Sequence, residues 1–181
     1  MLLYKEDIIA FDNSIFYVAW ENDNIIGSVK VTLWDELTML PIEKLFNLDI
    51  KNIFSVNGQH NIWHVGRFAI SKGNGTALLK KLLVMAFSAI CSDPKSIMVA
   101  ECDKKFLRAL NLMGLKTEIM APPVYYLGSE TLAIFSTNEW LQYFLEINET
   151  AKEMFYVQSG RILAHHKKTN EILYVTKWGV C

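Results

Sequence analysis

The chain has 181 residues, a formal net charge of −1 and a composition that is 51% hydrophobic, enough to bury the core of one domain with or without an appendage. Near-neutral charge, and the lack of any basic run interleaved with aromatics, exclude a nucleic-acid binder working through a general electrostatic field. Charges interrupt the N-terminal MLLYKEDIIAF where a signal peptide needs an apolar core, and no stretch reaches the roughly 20 apolar residues of a membrane span, so the expected location is cytoplasmic.

In chain order, residues 15–20 and 25–34 are strand-like and are separated by the turn formers Glu21-Asn22-Asp23-Asn24, which makes them a hairpin. Gly27 inside the second strand signals a bulge or a close approach by another group. Pro41 opens a short helical pattern of Ile42, Leu45 and Phe46, and Asn57-Gly58 marks a loop.

Residues 62–70 are β-branched or aromatic with small residues between them, the pattern of a strand buried on both faces. Gly73 and Gly75 then permit a tight bend, and Thr76 is a suitable N-cap. Leu78, Leu79, Leu82, Leu83, Ala86, Phe87 and Ile90 follow at helical spacing, with Lys80, Lys81, Val84 and Ser88 towards the other side. A strand feeding a glycine loop that opens a helix can cradle a phosphate on unpaired backbone N–H groups. An ordinary β-turn-α connection has the same local pattern, so both readings stand.

Asp93-Pro94 turns the chain into a buried strand at 96–102. A second helix carries Phe106, Leu107, Leu110 and Met113 and ends at Gly114, a C-cap glycine. Residues 115–120, 124–127 and 132–135 read as short strands, the first two broken apart by Pro122-Pro123. Residues 137–145 read as a helix capped by Thr137, with Trp140, Leu141 and Phe144 on one side. Beyond residue 147 the texture changes. Residues 154–157, 161–164 and 172–176 form a candidate β-meander that closes against the main sheet or pairs with a second subunit as a homodimer. The expected fold class is α/β (α+β): a central mixed sheet flanked by helices in residues 1–147, with a C-terminal β-meander appendage in 148–181. Cys91, Cys102 and Cys181 are odd in number and lack metal-ligand spacing, so they read as reduced thiols, with no metal site.

The run Ser71-Lys72-Gly73-Asn74-Gly75-Thr76-Ala77-Leu78-Leu79 resembles the acyl-CoA-binding motif of the GNAT N-acyltransferases, Arg/Gln-x-x-Gly-x-Gly/Ala ahead of a Leu-Leu helix, with Ile70 in place of the leading Arg or Gln. Gly66-Arg67-Phe68-Ala69-Ile70 is similar to the Ser-Arg-Phe-Ala-Val/Ile strand of one GNAT branch, the acyl-homoserine-lactone autoinducer synthases. Met39-Leu40-Pro41 ahead of Phe46, then Gly114, Pro122-Pro123 and Gly128-Ser129-Glu130, follow that branch's order. The resemblance implies a GNAT-like acyltransferase that moves an acyl group to a small-molecule amine. The donor it implies is acyl-CoA, with coenzyme A as cosubstrate, or the phosphopantetheine of an acyl carrier protein as partner. It also implies that Phe68, Ala69 and Ile70 meet the pantetheine through their backbone, and that Lys72, Gly73, Asn74, Gly75, Thr76 and Ala77 meet the phosphates. The tyrosine acid of many relatives falls at Leu110, and the synthases' helical Glu and Arg fall at about Leu78 and Lys81. The missing Arg/Gln, Tyr and Glu together leave open an alternative, a non-catalytic GNAT-like binding or assembly module.

Amine acylation needs a base and a means of stabilising the tetrahedral oxyanion. His64 is one candidate base, and strict alternation puts it on the face opposite Arg67. Glu101 is the other, its pKa expected to rise through burial. Each also has a bland reading, as a satisfied core histidine and as a cap for the next helix. Arg67, within so apolar a strand, either meets substrate or forms a structural ion pair. Trp34, Phe46, Phe54 and Trp63 line an acyl pocket or fill the core, and Lys80, Lys81, Lys104, Lys105 and Arg108 form an acidic partner's docking patch or solvated helix faces.

Overall fold

The computed structural model describes residues 13–21, 24–55, 60–73, 75–148 and 172–175. The hairpin expected at the start is β1 (Ser14–Glu21) and β2 (Asn24–Leu33). Two short helices follow, α1 (Pro41–Phe46) and α2 (Ile50–Ser55). The sequence showed only the first. The buried carboxylate of Glu43 ties them together, accepting from the amide of Leu40 at 2.7 Å and from that of Ile50 at 3.3 Å, so one side chain satisfies a backbone donor at the start of each helix.

Then come β3 (Asn61–Ile70), α3 (Gly75–Ile90) and β4 (Ser96–Asp103), a parallel pair joined by a helical crossover. The remaining elements are α4 (Lys104–Leu112), β5 (Glu118–Ile119), β6 (Val124–Tyr126), β7 (Ser129–Thr137), α5 (Asn138–Ile147) and β8 (Ile172–Val175). They build one mixed sheet in the order β5-β7-β4-β3-β2-β1-β8, with β6 paired to β7. β8 comes from the C-terminal stretch and lies antiparallel on β1, Phe16 opposite Val175, so it extends the main sheet. The other two strand candidates of the meander, 154–157 and 161–164, lie outside the described residues.

Two cores sit on the two faces of this sheet. The larger holds α3, α4 and α5 against β1–β4, and the smaller holds α1 and α2 against Ile62, Ile97, Val99 and Ala133. α3 is buried on more of its surface than an amphipathic stripe requires. Val84, expected on the outer side, is 1% exposed, and α5 packs against this helix, Phe144 meeting Phe87 edge to face at 5.2 Å. On the sheet side, a Cβ at Gly27 would stand 3.0 Å from Leu82 Cδ1 and 3.2 Å from Leu78 Cδ2. The strand glycine therefore marks a close approach by α3. Thr137 caps α5 as expected, accepting from the Trp140 amide. Among the described residues no helix is long and apolar enough to cross a membrane.

Candidate functional site

β3 and β4 pair in register from Asn61↔Ser96 to His64↔Val99, and there the pairing ends, although both strands continue. Their far arms part into a gap. The cause lies on the other edge of β3. The β2–β3 register passes from Lys30↔Gly66 to Ser28↔Ala69, so Arg67 and Phe68 share the single residue Val29 as partner. Arg67 takes up this bulge with a left-handed φ of 51°, and a bulge bends its strand.

The bulge also resets which face each side chain uses. Trp63 and Val65 point to the larger core, but so do Phe68 and Ile70, an even-for-odd exchange that one extra residue produces. Arg67 is consequently not on the face opposite His64. Its charge acts on Glu101, which faces the same side as His64.

These two candidate bases are partners. Across the apex of the gap, His64 Nε2 stands 2.7 Å from Glu101 Oε2, the side chains being 9% and 17% exposed. An ionised carboxylate only accepts, so the imidazole donates its Nε2–H. Burial works against the charge on Glu101, but the charge and hydrogen bond of His64 and the charge of Arg67 outweigh it, holding the carboxyl below the ordinary glutamate range. The expectation of a raised value is thus reversed. Nor does Glu101 cap the next helix, since Asp103 does that, accepting from the amides of Lys105 and Phe106. Gly66 makes room for the imidazole: a Cβ there would lie 2.9 Å from His64 Cε1.

The free edge of β3 carries the backbone groups expected to meet a donor. The Ser71 amide donates to Ile26 O across β2 at 2.9 Å. Successive residues turn their N–H and C=O to opposite edges, so those of Ile70 and Phe68 open onto the gap. Ala69 shares the strand but turns its own backbone groups to β2. Beyond Ile70, Gly73 (φ 99°) and Gly75 (φ 60°) shape the loop, with nothing within 4 Å of a Cβ added at either. α3 begins at Gly75, so Thr76 lies in its first turn and is not the N-cap. Lys72, Thr76 and Ala77 are exposed beside this helix start, whereas Asn74 lies outside the described residues.

Other candidates are dispersed. Leu110, at the position of the relatives' tyrosine, is 4% exposed within the larger core. Trp34, Phe46 and Phe54 gather in the smaller core, but Trp63 packs on the other face. Lys104 reaches Glu130 at 2.8 Å, Lys105 and Arg108 are exposed, and Lys80 and Lys81 are half-buried. Phe106 was legible only as an apolar position of a helix. It stacks on Phe68 across the gap, a contact that no local pattern announces.

No protein-family model and no curated protein sequence matches the chain. Its backbone is nevertheless similar to that of FeeM, an N-acyl amino acid synthase from uncultured soil microbes, with a TM-score of 0.61 and 10% identity over 75% of this chain and 80% of that one. The chain has a GNAT-like fold. The same GNAT-like fold relates it to two CoA-dependent acyl-homoserine lactone synthases. MesI matches with a TM-score of 0.52 and 14% identity over 85% of this chain and 74% of that one. BjaI, solved with SAM and isopentyl-CoA, gives 0.51 and 14% over 75% and 65%. The resemblance read from residues 66–79 thus agrees with the fold of the autoinducer-synthase branch.

Proposed function

We propose that this chain is an acyltransferase that moves an acyl group from coenzyme A, or from the phosphopantetheine of an acyl carrier protein, to a small-molecule amine. One observation carries the reading: the His64–Glu101 pair stands at the apex of the gap whose free edge is the backbone of Phe68 and Ile70. In this reading the donor's arm bonds to that edge and its phosphates meet the amides at the start of α3. The thioester carbonyl then lies beside His64. In its neutral form, with Nε2–H given to Glu101, the imidazole has Nδ1 to take a proton from the acceptor's ammonium, and the carboxylate stabilises the imidazolium that forms. The amine nitrogen attacks the carbonyl carbon, the C–S bond breaks, and the nitrogen's surplus proton passes through solvent to the departing sulfur. No side chain at residue 110 can supply it. Arg67, brought to the same face by the bulge, favours an acceptor that carries negative charge near its amine.

Titrating the protein with a panel of acyl-CoA esters by calorimetry tests this directly. Binding is expected for the wild type and not for Gly75→Glu, which sets a charge where the phosphates would lie. No response of the wild type to any ester or acylated carrier would overturn the reading. The buried Leu110 supports a second reading, a binding module that holds the donor without turnover. Thiol release with a panel of amines, amino acids included, separates the two.

A further inference from the structure

β6 and β7 form a hairpin closed by Leu127 and Gly128, whose φ values of 50° and 84° make a tight two-residue turn. β4 stops at Asp103, opposite Thr131, and the hairpin runs on past it through Ser129 to the turn. Its tip therefore projects at the end of the sheet where the gap has its mouth. Tyr125 is 81% exposed, Leu127 86% and Tyr126 44%, and nothing stands within 4 Å of a Cβ added at Gly128. Asparagine or glycine takes the first position of such a turn at least cost, whereas leucine takes a left-handed φ only under strain. At 86% exposure, packing does not offset that strain. Local folding alone asks for a polar tip here.

The charge beside the tip has one sign. Tyr125 stands opposite Glu130, so both lie on the face of the sheet that carries α4, and Glu130 meets Lys104 at 2.8 Å at the start of that helix. Lys104 thus answers the charge of Glu130, and Lys105 and Arg108 are exposed on the same helix.

We propose that the β6–β7 tip and the outer face of α4 dock this protein on an anionic phospholipid surface. Leu127 and the two tyrosine rings enter the headgroup layer, and Lys105 and Arg108 meet lipid phosphates. A narrow convex tip needs a matching pocket on a protein partner, but a fluid bilayer closes around it. Tyrosine, apolar in its ring and polar at its hydroxyl, suits the headgroup level. Three apolar side chains or two cations alone would bind weakly, and together they supply the two signals that peripheral attachment needs. The inference stands apart from the acyltransferase reading.

The full chain should sediment with vesicles of phosphatidylcholine and phosphatidylglycerol, at least about tenfold more tightly than with phosphatidylcholine alone, and added salt should weaken the binding. Leu127→Asn should lower that affinity about tenfold. It should unfold at no lower temperature than the wild type, because asparagine accepts a left-handed φ more readily than leucine. Lost binding then is not lost folding. Lys105→Glu with Arg108→Glu should abolish the preference for anionic vesicles. A wild type that sediments with neither vesicle, or a Leu127→Asn protein that binds as the wild type does, would overturn the inference. So would a Leu127→Asn protein that loses binding to an acylated carrier protein but not to vesicles, since the tip would then be a protein-docking surface. Affinity for acyl-CoA, measured alongside, bears on the acyltransferase reading alone.

Discussion

At the scale of single residues, the His64–Glu101 pair joins stability to chemistry. A carboxylate this enclosed is stable because the His64 imidazole donates a hydrogen bond to it and the positive charge of Arg67 acts on it. Its folded pKa lies below the unfolded value. The stabilisation is therefore whole at neutral pH and is lost as pH falls through the folded value. Glu101→Gln should cost roughly 1–3 kcal/mol at neutral pH, because the histidine loses a charged partner. In urea titrations that difference should shrink as the pH is lowered to an acid value at which the wild-type carboxyl is itself protonated. An equal cost at both pH values would mean that packing, and not charge, is what the carboxylate contributes. The same substitution should lower turnover while leaving donor affinity nearly intact, since the pair acts on the acceptor.

At the scale of elements, the bulge in β3 decides the site, and it is the feature that the sequence concealed. The strand, glycine loop and helix over residues 62–90 were legible because apolar spacing, Gly73 and Gly75 each act locally. So were the Thr137 cap and the Gly114 stop, which has a φ of 94°. Nothing local says that Arg67 adopts φ 51°, since an arginine there has no glycine-like freedom to advertise it. The register with β2 imposes it, and strict alternation then assigns Arg67 to the wrong face. For the same reason Glu101 read as a lone buried acid, when the partner that reverses its pKa shift comes from a strand 37 residues away. The bulge makes a measurable demand. Arg67→Ala and Arg67→Gly both delete the charge, but only alanine keeps a Cβ at a left-handed φ. The alanine variant should be less stable by about 1 kcal/mol, while both lose turnover alike. Thermal or urea unfolding checks the first expectation. Equal stabilities would show that the backbone relaxes once the arginine is gone.

At the scale of the whole molecule, the gap opens between the starts of α3 and α4, and the charge around those helix starts bears on what kind of donor docks there. The five basic residues do not act alike. Lys104 is paired with Glu130, both side chains exposed, a surface bridge worth no more than about 1 kcal/mol that an acidic partner could replace. Lys80 and Lys81 are half-buried on the second turn of α3. Lys105 and Arg108 are exposed and three residues apart on α4, hence neighbours on one helical face. They are the charges to reverse. If an acidic carrier protein presents the donor, its binding should weaken steeply with added salt, as screening shortens electrostatic reach to the Debye length of roughly 8–10 Å near physiological ionic strength. Lys105→Glu with Arg108→Glu should then weaken acyl-carrier binding by at least about tenfold and flatten its salt dependence, leaving affinity for free acyl-CoA changed by less than about threefold. Affinity for the carrier measured at low and high salt, with the wild type and the double variant side by side, decides the matter. Should carrier binding ignore both salt and charge reversal, the docking patch is no more than a solvated helix face, and coenzyme A is the donor that the gap serves.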